Sequence, residues 1–336
     1  MKILVTGGLG YIGSHVSVLL LQKGYQVVIV DNLDNSSISV LDSIKKIMNS
    51  SPVFEKLDVR NSDQMEFLFS KHKDISGVIH FAAYKAVGES VEDPLKYYDN
   101  NVLGFITLLN FIKRKNIPLI FSSSATVYGD ADLLPIIENA PIKEAFSPYG
   151  KTKQICEEII RDIAKSDSFF RSVILRYFNP IGAHSSGLIG ELPNGEPQNL
   201  IPFITQTLIG KRKELMVFGN DYSTEDGTCI RDYIHVMDLA EAHIKSLEYI
   251  LDFKNNKNFQ IFNIGTGQGH SVLQVIDAFE KVTKKKIKYK ITSRRQGDVA
   301  ASYSDCSKAK EILGWTPKFT LEDSLASSWN WETKNN

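Results

Sequence analysis

The chain has 336 residues, which suits one large α/β unit or two closely joined domains. Hydrophobic residues make up 43% of it, and 39 Lys and Arg balance 39 Asp and Glu, which excludes a whole-chain attraction to nucleic acid or to an anionic membrane. The three cysteines, Cys156, Cys229 and Cys306, are far apart and lack Cys-x-x-Cys spacing, which argues against a disulfide framework and against a structural zinc site.

The N-terminal region gives no sign of membrane insertion or secretion. The apolar run at residues 16–21 is far shorter than the roughly 20 residues that a membrane-spanning helix needs. No signal peptide is recognisable ahead of the first apolar segment. We therefore expect a cytoplasmic protein that binds neither membrane nor nucleic acid.

Short apolar segments alternate with amphipathic ones along the first half of the chain. Strands are predicted at KILVTG (2–7), YQVVIVDN (25–32), PVFEKLDV (52–59), GVIHFAA (77–83), PLIFSSSATVYG (118–129) and RSVILRYFNP (171–180). Helices are predicted at 11–23 and 147–166, with a further amphipathic segment at 100–116. Strands that alternate with helices pair in parallel through right-handed crossovers. The pattern predicts an α/β fold with a Rossmann-type doubly wound parallel sheet.

The sequence becomes richer in Gly, Pro and Asn from about Asn179, in the stretch NPIGAHSSGLIGELPNGEPQNLIP. We therefore expect two regions, a dinucleotide-binding domain over 1–178 and a smaller, less regular substrate-binding region over 179–336. The segment FQIFNIG (259–265) is predicted to be a strand that returns to the first domain. The basic run at 281–290 is interpreted as a solvated surface.

A glycine-rich stretch, VTGGLGYIGSH, joins the first strand to the first helix. It contains Gly8-x-Gly10-x-x-Gly13, and the second strand ends at the acidic Asp31, 21 residues after Gly10. Such glycines allow a tight turn and close approach of a pyrophosphate, which the free N–H groups of the helix N-terminus then bind. The Asp31 carboxylate would accept hydrogen bonds from a ribose and repel a 2′-phosphate. The context predicts a site for NAD rather than NADP.

A candidate acid–base group follows the fifth strand. Tyr149 and Lys153 are spaced by four residues, so on a helix they share one face. A nearby ammonium lowers the pKa of a phenol, which would let Tyr149 act as a base near neutral pH. Ser124, at the fifth strand, is a candidate to share a proton with Tyr149. Isolated Tyr–Lys pairs are common at protein surfaces, so the order of these motifs carries the argument.

The glycine run, Asp31, Ser124, Tyr149 and Lys153, in this order, resemble the extended short-chain dehydrogenase/reductase family. Longer blocks are similar to the UDP-glucose 4-epimerase family within it: FAAYKAVGESVEDPLKYYDNN, FSSSATVYGD, LRYFNPIGAH, FGNDYSTEDGTCIRDYIHVMDLA and RRQGDVAASYSD. The resemblance implies transient oxidation of a UDP-sugar at C4 by a tightly held NAD. It implies that Tyr149 is the base, that Lys153 tunes it and holds the nicotinamide ribose, and that Ser124 assists.

The same resemblance implies the binding residues. The expected cofactor shell is Gly7, Gly10, Tyr11, Ile12, Gly13, Asp31, Asn32, Asn35, Asp58, Val59, Phe81, Ala82, Lys85, Asn100, Lys153, Tyr177 and Phe178. The expected UDP-sugar contacts, beyond Ser124 and Tyr149, are Asn179, Asn199, Leu200, Phe218, Arg231, Tyr233, Arg295, Asp298 and Ser302. For Tyr177 and Phe178, core packing is an equal alternative.

The resemblance also separates related activities. Sugar-nucleotide 4,6-dehydratases and UDP-glucuronate decarboxylases of this superfamily carry an acidic residue where this chain has Ala125 and Thr126. Other sugar-nucleotide-modifying enzymes that use NAD, a net dehydrogenase and a non-catalytic dinucleotide-binding regulator stay as alternatives. Ser302 stands at the position where a large Tyr would exclude an N-acetyl group at C2 of the sugar. Activity on UDP-GlcNAc and UDP-GalNAc, besides UDP-glucose and UDP-galactose, is therefore expected.

Members of the family pair through two helices of each subunit, which implies a homodimer. The matching segments are 98–115 and 149–165. The first carries the apolar residues Val102, Phe105, Ile106, Leu108 and Leu109.

Overall fold

The computed structural model describes residues 1–252, 257–295 and 297–335. The strands are β1 (Lys2–Thr6), β2 (Gln26–Val30), β3 (Val53–Glu55), β4 (Ile75–His80), β5 (Leu119–Ser124), β6 (Ser172–Tyr177), β7 (Asn179–Ile181), β8 (Leu215–Phe218), β9 (Ile230–His235), β10 (Phe259–Ile264), β11 (Gly269–Ser271), β12 (Tyr289–Thr292) and β13 (Ala301–Ser302). The helices are α1 (Tyr11–Gln22), α2 (Ser39–Met48), α3 (Ser62–Lys71), α4 (Val87–Glu92), α5 (Pro94–Tyr97), α6 (Gly104–Arg114), α7 (Pro148–Ser166), α8 (Leu200–Leu208), α9 (Val236–Leu251), α10 (Val272–Thr283), α11 (Ser307–Leu313) and α12 (Leu321–Lys334).

Seven parallel strands form the main sheet, in the order β10-β6-β5-β4-β1-β2-β3. Successive residues of β1 are buried on opposite faces, Ile3 and Val5 against α1, α2 and α9, and Leu4 against α3, α6 and α7. The strand order reverses between β1 and β4, where ligands bind in sheets of this type. The predicted doubly wound Rossmann-type α/β fold is confirmed.

The chain beyond β6 contributes to both halves of the molecule. β10 lies beside β6 in the main sheet, and α9 packs against α1. The rest forms smaller sheets, β11-β9-β13 with β7 also on β9, and the pair β12-β8. Helices α8, α10 and α12 cover this second region. Among the helices that the structure describes, none has the length and apolarity to cross a membrane.

Several predicted elements have different boundaries in the structure, including β3, β5 and the segment at 100–116. β3 ends at Glu55 rather than at 59, because the following residues turn into α3, whose first turn is capped by the Asn61 side chain. β5 ends at Ser124, where the hydroxyl accepts a hydrogen bond from Thr126 N (3.2 Å) and starts a 3-10 turn over Ala125–Tyr128. The amphipathic segment at 100–116 is a short π-helix, Tyr98–Leu103, that continues as α6.

The basic run at 281–290 lies at the surface, as interpreted from its composition. Lys286 is 92% exposed and pairs with Glu280, while Lys281 pairs with Asp277 (2.6 Å).

Candidate active site

A cleft of about 910 Å³ opens at the carboxyl ends of the main-sheet strands, beside the reversal of strand order. Residues from both halves of the chain line it. The predicted site residues in its lining are Gly7, Gly10, Tyr11, Ile12, Gly13, Asp31, Asn32, Asn35, Val59, Phe81, Ala82, Lys85, Asn100, Ser124, Tyr149, Lys153, Tyr177, Phe178, Asn179, Asn199, Arg231, Arg295, Asp298 and Ser302.

Four predicted site residues lie beside this cleft rather than in its lining. Asp58 accepts hydrogen bonds from Asn32 (3.3 Å) and Arg60, and Leu200 is the first residue of α8. Phe218 ends β8, and Tyr233 is buried in the core of the second region. Their contacts with ligands remain predictions. Gln296, within one of the resemblance blocks, falls outside the described residues.

The turn between β1 and α1 requires glycine for two separate reasons. Gly7 has φ +67°, and a Cβ there would lie 2.7 Å from Ala82 N, while a Cβ at Gly13 would clash with the Gly7 carbonyl oxygen. Gly10 caps α1 without a side-chain hydrogen bond to the helix. The backbone therefore passes close to the residues that follow β4 and presents the N–H groups of the first helical turn to the cleft, as a pyrophosphate site requires.

Asp31 is held in one orientation directly after β2. Its Oδ2 accepts a hydrogen bond from Leu9 N (3.1 Å), and its Oδ1 accepts from Leu33 N (3.0 Å) and from Ser36 Oγ (2.8 Å). This arrangement ties the acidic residue to the glycine turn. A ribose at the same end of the cleft would meet a fixed carboxylate.

Ser124, Tyr149 and Lys153 come together where β5 ends and α7 begins. Pro148 opens α7, and the Ser147 hydroxyl caps its first turn by accepting from Gly150 N (3.2 Å). Both Tyr149 and Lys153 are largely buried. The Lys153 ammonium donates to the carbonyl oxygen of Ser122 on β5 (2.7 Å), which fixes α7 to the strand end.

Burial dominates the proton affinities of this group. It raises the pKa of Tyr149 to about 12, although a hydrogen bond with Ser124 opposes the shift. Burial also lowers the pKa of Lys153 to about 8, opposed by Cys156 and by the carboxylate of Glu157. Withdrawal of the phenol from water favours its neutral form, and activation of Tyr149 by Lys153 stays a prediction.

The two predicted arginines meet at one carboxylate in the lining of the cleft. Arg231 Nη2 lies 3.3 Å from Asp298 Oδ1, and Arg295 donates to both Asp298 oxygens (2.8 and 3.1 Å). Ser302 lies on β13 in register with Arg231 on β9. Asn179, at the start of β7, pairs with Tyr233 of β9. The arrangement concentrates two guanidinium groups where an anion could enter.

No carboxylate stands next to Ser124 in the 3-10 turn. Ala125 and Thr126 both line the cleft at this place. Neither side chain can exchange a proton as a carboxylic acid does. The geometry therefore places the Tyr149 phenol beside Ser124 and offers no acid–base partner from these two positions.

Sequence reasoning missed several cleft residues because they lie in irregular loops without periodicity. Glu191 is the most consequential of these, since it pairs with Lys85 (2.9 Å). Outside the cleft lining, Asn101 in the π-helix was also missed, although its side chain bonds to both Tyr84 N (2.8 Å) and Tyr84 O (3.0 Å) and to Thr152 on α7. Only its neighbour Asn100 carried a signal.

Known proteins match this chain over nearly its whole length. The model of the family described as GDP-mannose 4,6 dehydratase matches residues 4–327. The UDP-glucose 4-epimerases of Bacillus subtilis (strain 168) and Yersinia enterocolitica are 48% and 50% identical to this chain, over 100% of it and 98% of each relative. The crystal structure of UDP-glucose 4-epimerase from Bifidobacterium longum, in complex with NAD+ and UDP, is similar with a TM-score of 0.95 at 47% identity, covering 100% of this chain and 99% of that one.

Proposed function

The chain belongs to the UDP-glucose 4-epimerase family of the extended short-chain dehydrogenases/reductases, and we propose which of its residues carry the reaction. It interconverts UDP-glucose and UDP-galactose with NAD as its cofactor. The observation that carries the proposal is the convergence of Ser124, Tyr149 and Lys153 on the cleft that the glycine turn also lines. Ala125 and Thr126 favour simple epimerisation over dehydration.

The cofactor end of the cleft fits a dinucleotide. The uncapped first turn of α1 and the absence of side chains at Gly7 and Gly13 leave the backbone open to a pyrophosphate, and Asp31 is oriented for the adenosine ribose. When bound there, NAD would supply reversible hydride transfer at C4 of the sugar and the positive charge of its oxidised ring. Lys153 would hold the ribose next to that ring.

We assign to Tyr149 the removal of the proton from O4 of the sugar, and to Ser124 the hydroxyl group that shares this proton. A phenol whose pKa burial raises to about 12 needs positive charge close by to act at neutral pH. Lys153, one helical turn along α7, is the residue placed to provide it. After the 4-ketose has turned and the hydride has returned to the opposite face of C4, the same three groups can return the proton to O4.

The second half of the chain is assigned to the UDP-sugar. Arg231 and Arg295 match a diphosphate, because a guanidinium group donates two parallel hydrogen bonds to phosphate oxygens. Their shared contact with Asp298 holds both in place. Residues 1–178 would thus hold NAD and residues 179–336 the UDP-sugar, with β10 contributing to the first domain.

Ser302 is assigned the choice between sugars. Its small side chain lines the cleft, which supports room for an N-acetyl group at C2. The experiment is NMR of UDP-glucose and, separately, UDP-GlcNAc with purified enzyme and no added NAD. Conversion of both to their 4-epimers is expected, and conversion of UDP-glucose alone would refute the role of Ser302. Lack of NADH absorbance at 340 nm would distinguish an epimerase from a net dehydrogenase.

A Ser302→Tyr variant tests the same assignment directly. The added ring should abolish turnover of UDP-GlcNAc and preserve turnover of UDP-glucose. Equal activity of the variant on both substrates would show that another residue sets the limit at C2.

We also propose a homodimer, although the residues that would form its interface differ in part from those named in the sequence analysis. Phe105, Leu108 and Leu109 pack into the core beneath the main sheet, so they are unavailable to a partner. Leu103 and Ile106 on the same segment are 48% and 39% exposed and support the pairing instead.

A cytoplasmic location is also proposed, since all three cysteines are unpaired.

A further inference from the structure

Glu191 joins two residues that were assigned to different ligands. Its Oε1 accepts a hydrogen bond from Lys85 Nζ (2.9 Å) and another from Asn199 Nδ2 (2.6 Å). Lys85 follows β4 and is expected to contact NAD, whereas Asn199 precedes α8 and is expected to contact the sugar. The Glu191 side chain is 13% exposed and lines the cleft between them.

Asn199 is the N-cap residue of α8, yet its side chain makes no hydrogen bond to that helix. An asparagine at this position ordinarily accepts from the helix N–H groups, which stabilises a helix by about 1 kcal/mol. Here the amide donates to Glu191 instead. The side chain is therefore held toward the cleft at the expense of the helix terminus.

The backbone of Glu191 is held by α12, since its carbonyl oxygen accepts a hydrogen bond from Trp331 Nε1 (3.1 Å). On the other side, Lys85 Nζ lies 5.9 Å from the ring centroid of Tyr11, the first residue of α1. Tyr11 in turn donates to Gly182 O (2.6 Å). A continuous set of contacts thus runs from the glycine turn through one carboxylate to the second region.

Resting on the function proposed above, we propose that Glu191 is a positioning residue that couples retention of NAD to binding of the UDP-sugar. Its carboxylate orders the Lys85 ammonium at the cofactor end and the Asn199 amide at the sugar end. A carboxylate that acted only through its charge would have the opposite effect, because a negative charge in a cleft for two diphosphates weakens anion binding.

Two variants separate the two halves of this role. Glu191→Ala removes both hydrogen bonds and is expected to weaken UDP-glucose binding about tenfold, a typical effect of losing a charged hydrogen bond. It should also speed the loss of NAD during gel filtration and remove the protection of NAD by saturating UDP-glucose. Glu191→Gln keeps an acceptor oxygen for Asn199 but loses the charge that pairs with Lys85. It should restore UDP-glucose affinity and not NAD retention.

The matched control is Glu196→Ala, in the same loop, because Glu196 pairs with Arg212 (3.0 Å) and is absent from the cleft lining. Wild-type-like UDP-glucose affinity and NAD retention in both Glu191 variants, or tighter UDP-glucose binding in both, would overturn the proposal. These binding measurements do not need turnover. A wild-type enzyme that binds UDP-glucose but fails to epimerise it would therefore refute the proposed function separately, while UDP-glucose and NAD binding still decide the role of Glu191.

Discussion

The buried ion pair between Glu157 and Arg176 should be essential for stability. Their side chains are 4% and 1% exposed, and two parallel bonds join them, Arg176 Nε to Glu157 Oε1 (2.9 Å) and Nη2 to Oε2 (2.5 Å). The Ser123 hydroxyl, beside Ser124, also donates to Glu157 (2.5 Å). The pair thus lies directly behind the proposed catalytic residues and joins α7 to β5 and β6.

Glu157→Gln retains the shape of the side chain but leaves the Arg176 charge buried without a counter-charge. Breaking a buried pair in this way costs about 3–5 kcal/mol. The measurement is urea unfolding followed by tryptophan fluorescence, on proteins with equal NAD content. Asp162→Asn is the control on the same helix, since the Asp162–Lys165 pair is 76% and 70% exposed and an exposed pair contributes at most about 1 kcal/mol.

The expected result is a large fall in the free energy of unfolding for Glu157→Gln and almost none for Asp162→Asn, with the denaturant slope unchanged in both. A loss below about 1 kcal/mol for Glu157→Gln would mean that water or another group replaces the missing charge, which would refute the reasoning from burial.

Three further predictions concern pH, the glycine turn and assembly. Burial lowers the pKa of His15 and of His80 to about 3, below the unfolded value of 6.5. The two neutral histidines therefore contribute fully to the free energy of unfolding above pH 6.5, and this contribution falls as the pH drops toward 3. Unfolding at pH 5.5 should therefore cost about 1.4 kcal/mol less per histidine than at pH 7.5, and a flat profile over this range would contradict it. Gly7→Ala should lose bound NAD and stability, because the added Cβ would lie 2.7 Å from Ala82 N. Gly24→Ala is the control, since Gly24 also has a positive φ of +83° but has open space around it, and this variant should retain NAD on gel filtration. Equal NAD retention in the two variants would contradict the role of the glycine turn. Ile106→Glu should shift sedimentation from dimer to monomer, and an unchanged dimer would place the interface elsewhere.

Local sequence patterns by themselves determined the main sheet and the dinucleotide end of the cleft. The alternation of apolar and amphipathic segments predicts the parallel sheet, and the glycine turn with Asp31 predicts the dinucleotide end, because segment patterning and strand–turn–helix spacing can be recognised within a short stretch of sequence. The spacing of Tyr149 and Lys153 predicts a shared helix face for the same reason. The long resemblance blocks supplied the sugar end, where single residues such as Arg231 carry no signal of their own.

Tertiary structure decided what depends on residues far apart in the chain. Burial, rather than the neighbouring lysine, sets the direction of the Tyr149 pKa shift, and it removes Phe105 and Leu108 from any surface. The hydrogen bond between Lys85 and Glu191 joins residues 106 positions apart, and neither local sequence predicts it. Desolvation and long-range pairing arise only when the chain has packed, which is why the sequence located the ends of the cleft but not the carboxylate that joins them.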